Sequence, residues 1–295
     1  MKILLLGGNG QIGHELRRSL APLGDLTVTT RSGALVDGRR CDSLDLAHLD
    51  SLDALLDRVS PDVVVNAAAY TAVDRAEDEP DVAFAVNAEA PRRIAHACAT
   101  RGASLVHFST DYVFDGNAES PYREHDSTAP LNVYGRSKLA GERAIADSGA
   151  RHLTLRTSWV YGLRGGNFLR TMLRLASERA ELQVVGDQVG SPTPAWLIAD
   201  VTSKVLRQGV VASGVRHLTT AGESSWHGFA VAIFDEARAR GLIERAPTVQ
   251  PIATDRFPTR ATRPAWSVLD TSQLQAEYGL QLPHWREALK STFDR

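Results

Sequence analysis

The first thirteen residues of the chain combine a short apolar run with a glycine-rich turn. Residues 2–6 read K-I-L-L-L, and residues 7–13 read G-G-N-G-Q-I-G, so a G-x-x-G-x-x-G pattern follows the apolar run at once. A short apolar run bounded by glycine indicates a buried β-strand, and the residues after Gly10 are typical of a helix. The pattern therefore predicts a strand, a tight turn and a helix, the first unit of a doubly wound α/β fold.

Apolar runs and helical segments continue to alternate up to residue 157. The predicted strands are Lys2–Leu6, Leu26–Thr30, Val63–Asn66, Ser104–Ser109 and His152–Thr157. The predicted helices are Gln11–Leu20, Leu46–Val59, residues 82–100 and a long segment around Tyr134. Short apolar strands separated by helices predict a parallel sheet with helices on both faces, so the fold class is α/β of the Rossmann type.

The glycine-rich turn is also a candidate phosphate site. Glycine permits close approach of the backbone to a pyrophosphate, and the N-terminus of the next helix presents free N–H groups to it. We therefore predict that Gly7, Gly10 and Gly13 bind a dinucleotide cofactor. Proteins that select NAD usually place an acid at the end of the second strand, where this chain has Thr30 and Arg31. Because an arginine can pair with a 2′-phosphate, NADPH is the predicted cofactor, with NADH possible.

A second candidate site lies in residues 132–138, which read N-V-Y-G-R-S-K. Tyr134 and Lys138 are four residues apart, so they share one face of a helix. Reduction of a carbonyl needs a proton donor, and a nearby ammonium lowers the pKa of a phenol. From the residues alone the pair is either a surface contact or an acid with its cation. The same residues favour an NADP-dependent oxidoreductase acting on a hydroxyl or keto group.

The second half of the chain is less regular. Residues 186–194 read G-D-Q-V-G-S-P-T-P, a predicted loop over a pocket, and residues 249–264 are expected to be irregular. We predict an NAD(P)-binding domain with the catalytic residues over residues 1–157. Residues 158–295 are expected to form mainly a smaller C-terminal substrate-binding region, with some segments returning to the Rossmann core.

Composition excludes several classes of function. The formal net charge is -2 and no long basic run is present, so nucleic acid is not an expected partner. The opening apolar run is too short for a signal peptide or a membrane span, and Cys41 and Cys98 do not form a C-x-x-C pair. We therefore expect a cytoplasmic protein with reduced thiols. The nine histidines have no metal-ligand spacing, so no metal site is predicted.

Several longer motifs narrow the prediction. They are N-A-A-A-Y-T-A-V-D (66–74), S-T-D-Y-V-F-D-G (109–116), P-L-N-V-Y-G-R-S-K-L-A-G-E (130–142), R-T-S-W-V-Y-G (156–162), G-D-Q-V-G-S-P-T (186–193) and R-P-A-W-S (263–267). Together they resemble the dTDP-4-dehydrorhamnose reductase family of the extended short-chain dehydrogenases/reductases. The resemblance covers nearly the whole chain, and the combination of motifs is far more specific than any one of them.

The resemblance implies a substrate, a reaction and a set of site residues. The substrate would be a dTDP-linked 4-keto-6-deoxyhexose, reduced at C4 in nucleotide-sugar biosynthesis for cell-surface polysaccharide. Tyr134 would donate the proton, Lys138 would assist it and hold the nicotinamide ribose, and Thr110 would lie beside the carbonyl. The implied substrate contacts are Thr110, Asp111 and Trp159. The implied cofactor contacts are Gly10, Gln11 and Ile12 at the pyrophosphate, Asp45 and Leu46 at the adenine, and Ala69, Tyr70 and Thr71 after the third predicted apolar strand.

Two departures from the family and two alternatives bear on this prediction. Thr30 stands where many relatives have an acid, which supports NADPH. Some relatives dimerise through a magnesium cluster of glutamates. Glu15 matches that pattern but Trp196 does not, so the chain is expected to be a monomer or a homodimer.

The alternative functions are another nucleotide-sugar epimerase, dehydratase or reductase, and a non-catalytic NADP-binding regulatory subunit. The presence of Thr110, Tyr134 and Lys138 favours the reductase.

Overall fold

A computed structural model describes residues 1–209 and 213–295. The strands in these ranges are Lys2–Leu6 (β1), Asp25–Thr30 (β2), Asp42–Ser43 (β3), Val63–Asn66 (β4), Ser104–Thr110 (β5), His152–Thr157 (β6), Val160–Tyr161 (β7), Glu181–Val185 (β8), Val189–Gly190 (β9), Thr193–Pro194 (β10), Gly214–His217 (β11), Ser224–Ser225 (β12) and Thr248–Ile252 (β13). Seven of them form one parallel sheet in the order β11-β6-β5-β4-β1-β2-β3. The predicted doubly wound parallel sheet is confirmed.

Helices cover both faces of this sheet and also pack within the second half of the chain. They are Gln11–Leu20 (α1), Leu52–Val59 (α2), Val73–Ala76 (α3), Pro80–Phe84 (α4), Ala90–Arg101 (α5), Val133–Ala146 (α6), Phe168–Glu178 (α7), Ala195–Gln208 (α8), Trp226–Ala239 (α9), Ser272–Tyr278 (α10) and Trp285–Phe293 (α11). A π-helical turn, Ala85–Glu89, joins α4 to α5. None of the helices in the described ranges is long and apolar enough to cross a membrane.

The strand order places a crevice at one edge of the sheet. The chain runs outward from β1 to β2 and β3, then returns to place β4 on the other side of β1. In a doubly wound sheet, ligands bind at the carboxyl ends of the strands on either side of such a reversal. The apolar runs that predicted β1, β4 and β5 are buried on both faces, since helices cover both.

The second half of the chain both completes the sheet and builds a separate core. Strand β11 pairs with β6, and α8 packs on α1 through an apolar cluster shared with the sheet. A second cluster, centred on Tyr161, Phe229, Phe234 and Trp285, lies between α7, α9 and α11 and the small sheets around them. This second core supports the segments that lie over the carboxyl edge of the main sheet.

The predicted helix over residues 46–59 is wrong in its first half. The helix begins only at Leu52, although Leu46 and Leu49 are buried as their spacing suggested. The Asp45 side chain accepts a hydrogen bond from the backbone N–H of Ala47, at 3.0 Å. Such local side-chain hydrogen bonds favour a turn over a helix, so turns rather than helical periodicity bring these leucines to the core.

The prediction that residues 249–264 are irregular is wrong at their start. Residues Thr248–Ile252 form β13, which pairs in parallel with β8 over five residues. Pro251 lies within this strand, opposite Val184. A proline is tolerated there because the sheet has only two strands, so β13 is an edge strand with one side free of pairing.

Candidate active site

The glycine-rich turn has the close packing that a dinucleotide site requires. Gly7 has a φ of +83°, and a Cβ at Gly13 would lie 2.1 Å from the Gly7 carbonyl oxygen. Helix α1 therefore packs directly on the end of β1. Gly10 precedes the helix, is exposed, and supplies no side-chain cap. The first turn of α1 contains no acidic residue, so its N–H groups and dipole fit an anionic group such as a pyrophosphate.

The two residues after Gly10 differ in environment. Gln11 faces the second half of the chain, where its Oε1 accepts a hydrogen bond from Asn167 Nδ2 at 2.8 Å. Ile12 packs against the main apolar cluster. Gln11 thus connects the start of α1 to the loop before α7, directly at the glycine-rich turn.

The remaining cofactor candidates lie at the carboxyl ends of β2, β3 and β4. Arg31 follows β2 and is exposed. Asp45 is half-buried, whereas the Leu46 side chain packs in the apolar core beside α2. Ala69 and Thr71 are exposed, and Tyr70 between them is half-buried with its hydroxyl donating to Glu79 at 2.7 Å. All six positions lie at the same edge of the sheet as Gly7.

Asn87 is a residue of this region that sequence reasoning missed. It is fully buried in the π-helical turn, where its Oδ1 accepts from the Tyr70 backbone N–H and its Nδ2 donates to the Tyr70 carbonyl oxygen. Nδ2 also lies 3.0 Å from the Ser137 hydroxyl on α6. Asn87 therefore fixes the segment after β4 relative to α6. π-helical turns are frequent at functional sites, but local sequence patterns do not reveal them.

Thr110 and Asp111 lie where β5 ends. The Thr110 hydroxyl donates to Asp111 Oδ1 at 3.0 Å and accepts from the Tyr112 backbone N–H at 3.2 Å. Asp111 is only 2% exposed. Burial raises the pKa of its carboxyl group to about 6, although hydrogen bonds from Ser267 and Thr110 lower it. The site thus holds a carboxylate that titrates close to neutrality.

Tyr134 stands in the first turn of α6, beside Thr110. The Asn132 side chain caps this helix by accepting from the Gly135 backbone N–H at 2.8 Å. A Cβ at Gly135 would lie 2.2 Å from the Tyr112 carbonyl oxygen, so the helix packs tightly against the end of β5. Burial raises the pKa of Tyr134 to about 12, and a hydrogen bond with Thr110 partly offsets this. Tyr134 is therefore a protonated donor at neutral pH.

Lys138 lies one turn further along α6 and is only 1% exposed. Its Nζ donates to the Phe108 carbonyl oxygen at 2.7 Å and lies 3.2 Å from His107 Nε2. Burial lowers the pKa of Lys138 to about 8, and the Glu142 carboxylate raises it. The sequence argument expected Lys138 to lower the pKa of Tyr134. Burial governs the pKa of each group here, and no lowering of the Tyr134 pKa is attributable to Lys138.

A buried ion pair behind these residues was also missed. Glu142 binds Arg156 through both carboxylate oxygens, and the Ser109 hydroxyl donates to Glu142 Oε1. The two charged side chains are 4% and 5% exposed. The pair connects α6 with β5 and β6 next to Thr110. Glu142 and Arg156 are 14 residues apart and belong to different elements, so no local pattern predicts their contact.

Trp159 follows β6 and has a φ of +46°, a region that non-glycine residues seldom adopt. Its ring stacks on Trp226 with centroids 3.5 Å apart and planes within 1° of parallel. A Cβ at Gly190 would lie 2.6 Å from Trp159 Nε1. Packing thus holds Trp159 in its strained conformation. Gly190 also brings Ser267, a partner of Asp111, close to the same indole.

Two arginines of the second half of the chain, and the Glu15 considered from the sequence, pair with other side chains. Arg263 Nη2 binds Asp74 at 2.8 Å and Arg260 binds Asp78, so they attach residues 259–266 to α3 and the turn after it. Glu15 pairs with Arg18, and Trp196 Nε1 donates to Thr292. Within residues 1–209 and 213–295, no group of three histidine, cysteine, aspartate or glutamate side chains is placed to hold a metal ion.

The doubly wound sheet, the glycine-rich turn at a helix N-terminus and the Thr110–Tyr134–Lys138 constellation define a class. They are the features of an NAD(P)-binding oxidoreductase of the extended short-chain dehydrogenase/reductase type.

Comparison with known proteins narrows this class. A family model described as the RmlD substrate binding domain matches residues 1–295. A dTDP-4-dehydrorhamnose reductase of Burkholderia thailandensis is 49% identical over 298 residues, covering 98% of this chain and 97% of that protein. The enzyme of the same name from Salmonella typhimurium is 44% identical, covering 98% and 96%. The chain belongs to the dTDP-4-dehydrorhamnose reductase family, and the resemblance found in the sequence is confirmed.

Solved structures agree with this assignment. The dTDP-4-dehydrorhamnose reductase of Clostridium acetobutylicum superposes with a TM-score of 0.90 at 37% identity, covering 100% of this chain and 99% of that one. The enzyme of the same name from Bacillus anthracis, solved in complex with NADP, has a TM-score of 0.90 at 35% identity and the same coverage. The similarity therefore extends over both halves of the chain.

Proposed function

We propose that this protein is an NADPH-dependent dTDP-4-dehydrorhamnose reductase. It reduces the C4 keto group of dTDP-4-dehydro-β-L-rhamnose to give dTDP-L-rhamnose, a precursor for cell-surface polysaccharide. The observation that carries this proposal is the position of Tyr134. A protonated phenol lies beside the Thr110 hydroxyl at the carboxyl edge of a dinucleotide-binding sheet. Full-length identity to reductases of this name supports the choice of substrate.

The cofactor is assigned to the crevice at the carboxyl ends of β1, β2 and β4. The residues that would hold it are Gly7, Gly10, Gln11, Ile12, Gly13, Arg31, Asp45, Leu46, Ala69, Tyr70, Thr71, Tyr134 and Lys138. Gly10 and the start of α1 would bind the pyrophosphate, and Arg31 would pair with the 2′-phosphate of NADPH. NADH can use the same crevice without that pairing. When bound, the nicotinamide supplies the hydride.

Tyr134 is the proton donor of the proposed reaction. As the C4 carbon gains a hydride, the carbonyl oxygen takes the electron pair and needs a proton. The Tyr134 hydroxyl donates that proton. The Thr110 hydroxyl, which donates to Asp111 Oδ1 in this structure, would turn to donate a hydrogen bond to the same oxygen. Since burial raises the pKa of Tyr134 to about 12, the phenol keeps its proton until the substrate oxygen becomes more basic. Lys138 would hold the nicotinamide ribose, as the family resemblance implies.

The sugar is assigned to the space between Asp111 and Trp159. Asp111 can accept hydrogen bonds from sugar hydroxyls, and the Trp159 indole offers an apolar surface for a 6-deoxyhexose. Residues 158–295 supply Trp159, Trp226 and Gly190, and we propose that they form mainly the substrate-binding region. Residues 1–157 would form the cofactor-binding domain with the catalytic residues.

Other properties of the protein are part of the same proposal. Cys41 and Cys98 are both free thiols, which fits a reducing compartment, so we propose a cytoplasmic location. The protein would act as a monomer or a homodimer.

The test is NADPH oxidation, followed by absorbance, with dTDP-4-dehydro-β-L-rhamnose generated in the reaction. The same mixture without the sugar is the control. Sugar-dependent oxidation with dTDP-L-rhamnose as product is expected. NADPH binding without consumption would contradict the assignment and would favour a regulatory role for the chain.

A further inference from the structure

His107 lies directly behind the catalytic lysine. It occupies the middle of β5 and is 1% exposed, and its Nε2 is 3.2 Å from Lys138 Nζ. Its Nδ1 lies 3.2 Å from Asn66 Nδ2, at the end of β4. Burial and the Lys138 charge lower the pKa of His107 well below its usual value. The imidazole is therefore neutral at working pH and has one N–H donor and one acceptor nitrogen.

The partners of Lys138 determine which imidazole nitrogen carries the proton. An ammonium group has three N–H donors and no acceptor. The Phe108 carbonyl oxygen takes one of these N–H groups at 2.7 Å. If Lys138 is charged, His107 Nε2 must accept the second, which places the imidazole proton on Nδ1. The Asn66 amide must then turn its oxygen toward Nδ1 and give up the hydrogen bond that this oxygen accepts from the Ala68 backbone N–H at 3.2 Å. If Nδ1 accepts from Asn66 instead, the proton is on Nε2 and Lys138 must be a neutral amine.

Few other ionisable groups act on this pair. Glu142, one turn along α6, favours the charged form of Lys138. His152 on β6 acts on His107 and disfavours its protonation. Tyr134 lies one turn before Lys138 on the same helix. The His107 imidazole is an uncharged group within hydrogen-bond distance of Lys138 Nζ, at 3.2 Å.

We propose that His107 is the positioning residue of Lys138, whose ammonium it holds through Nε2. Phe108 and His107 accept hydrogen bonds from two of the three N–H groups of the Lys138 ammonium. The third N–H group is left for the cofactor ribose and for Tyr134. The charge of Lys138 is thereby coupled to the tautomer of His107 and to the orientation of the Asn66 amide. This inference rests on the proposed role of Lys138 in binding NADPH.

Three substitutions separate the hydrogen bond from the packing of the ring. In His107→Gln the side-chain amide reaches close to the position of Nε2, whereas in His107→Asn it reaches only that of Nδ1. His107→Leu keeps much of the volume and removes both nitrogens. His152→Leu is the matched control, since it replaces a buried histidine on the neighbouring strand whose ring hydrogen-bonds with the Ala150 carbonyl oxygen instead of with Lys138.

The readout is the dissociation constant of NADPH, measured by fluorescence from pH 6 to pH 10 without any sugar. For the wild type, affinity is expected to fall as pH rises through the pKa of Lys138, near 8. In His107→Leu and His107→Asn the fall should begin about one pH unit lower, because loss of a hydrogen bond to a charged group lowers the proton affinity about tenfold. His107→Gln and His152→Leu should follow the wild-type profile.

Several results would overturn the inference. One is that NADPH affinity in His107→Asn or His107→Leu depends on pH as in the wild type, and that the substitution only lowers the melting temperature. Another is a His107→Gln profile that matches His107→Asn, and a third is a wild-type affinity that does not change up to pH 10. If His107→Leu does not fold, the Gln and Asn variants decide. Because the measurement contains no sugar, its outcome is independent of whether the proposed substrate is reduced.

Discussion

Arg156 on β6 and Glu142 on α6 form a bidentate ion pair inside the protein. Arg156 Nη2 lies 2.7 Å from Glu142 Oε2, and Arg156 Nε lies 3.0 Å from Oε1. The Ser109 hydroxyl donates to the same carboxylate, one residue before Thr110. The pair therefore fixes the helix that carries Tyr134 and Lys138 relative to the strand that carries Thr110.

Loss of one partner from this pair should destabilise the protein strongly. Glu142→Gln leaves the Arg156 guanidinium buried without a counter-charge, which costs about 3–5 kcal/mol of unfolding free energy. Glu89→Gln is the control, because it removes an exposed partner of Arg92 and should cost less than about 1 kcal/mol. Urea unfolding measures both. Similar values for the two variants would refute a structural role for the buried pair.

Tyr134→Phe should abolish most turnover. It removes the donated proton, and loss of a general acid lowers the rate by about 10²–10⁴-fold. NADPH affinity should change little, since Lys138 and the glycine-rich turn remain. The matched control is Tyr112→Phe, because the Tyr112 ring packs edge-on against Tyr134 at 5.8 Å. Near-normal initial rates in Tyr134→Phe would exclude this residue as the acid.

Asp111→Asn should raise stability at neutral pH and not in acid. Burial raises the pKa of Asp111 to about 6, compared with about 3.9 in an unfolded chain. Between these values the native state binds more protons than the unfolded state, so stability falls as pH rises. Above pH 6 the ionised carboxylate therefore costs about 3 kcal/mol. The asparagine variant avoids this cost.

Unfolding of Asp111→Asn and wild type at pH 4 and pH 8 tests this relationship. The difference between the two proteins should be small at pH 4 and should favour the variant at pH 8. The variant should also have a higher KM for the sugar, because Asp111 is a proposed substrate contact. A stability difference that is equal at both pH values would show that Asp111 does not titrate as described.

Arg31→Ala should weaken the preference for NADPH. Arg31 is exposed at the end of β2, so its pairing with a 2′-phosphate is charge-assisted and partly screened by solvent. The KM for NADPH should rise about tenfold, equivalent to about 1.4 kcal/mol, while the KM for NADH stays the same. Arg92→Ala, on the surface of α5, is the control. An equal change for both cofactors would contradict the role of Arg31.

Local sequence patterns predicted the parts of the fold that depend on local physics. Strands β1 and β4 contain continuous apolar runs because both faces of a parallel sheet are buried. The glycine-rich turn was recognisable because only glycine allows the contact between Gly13 and the Gly7 carbonyl oxygen. The same reasoning failed over residues 46–51, where an aspartate-centred turn replaces the first turns of the predicted helix.

Contacts between distant segments were not predictable in this way. Asn87 acts through a π-helical turn, and its partners Tyr70 and Ser137 are 17 and 50 residues away. His107 looks like an ordinary strand residue until β5 and α6 pack together and bring it to Lys138. The sequence motifs marked the residues proposed to contact ligands, whereas the residues that hold them in place emerged only from tertiary packing.

The most direct test of the proposed function is the transfer of deuterium from NADPH labelled with deuterium at nicotinamide C4. The enzyme would be supplied with dTDP-4-dehydro-β-L-rhamnose and each hydride stereoisomer of the labelled cofactor, and the product analysed by NMR. We predict that one of the two cofactors yields dTDP-L-rhamnose with deuterium at C4 of the sugar. Absence of deuterium at C4 of the sugar with both labelled cofactors, or an epimerised keto sugar with the cofactor unconsumed, would contradict the assignment as a C4 reductase.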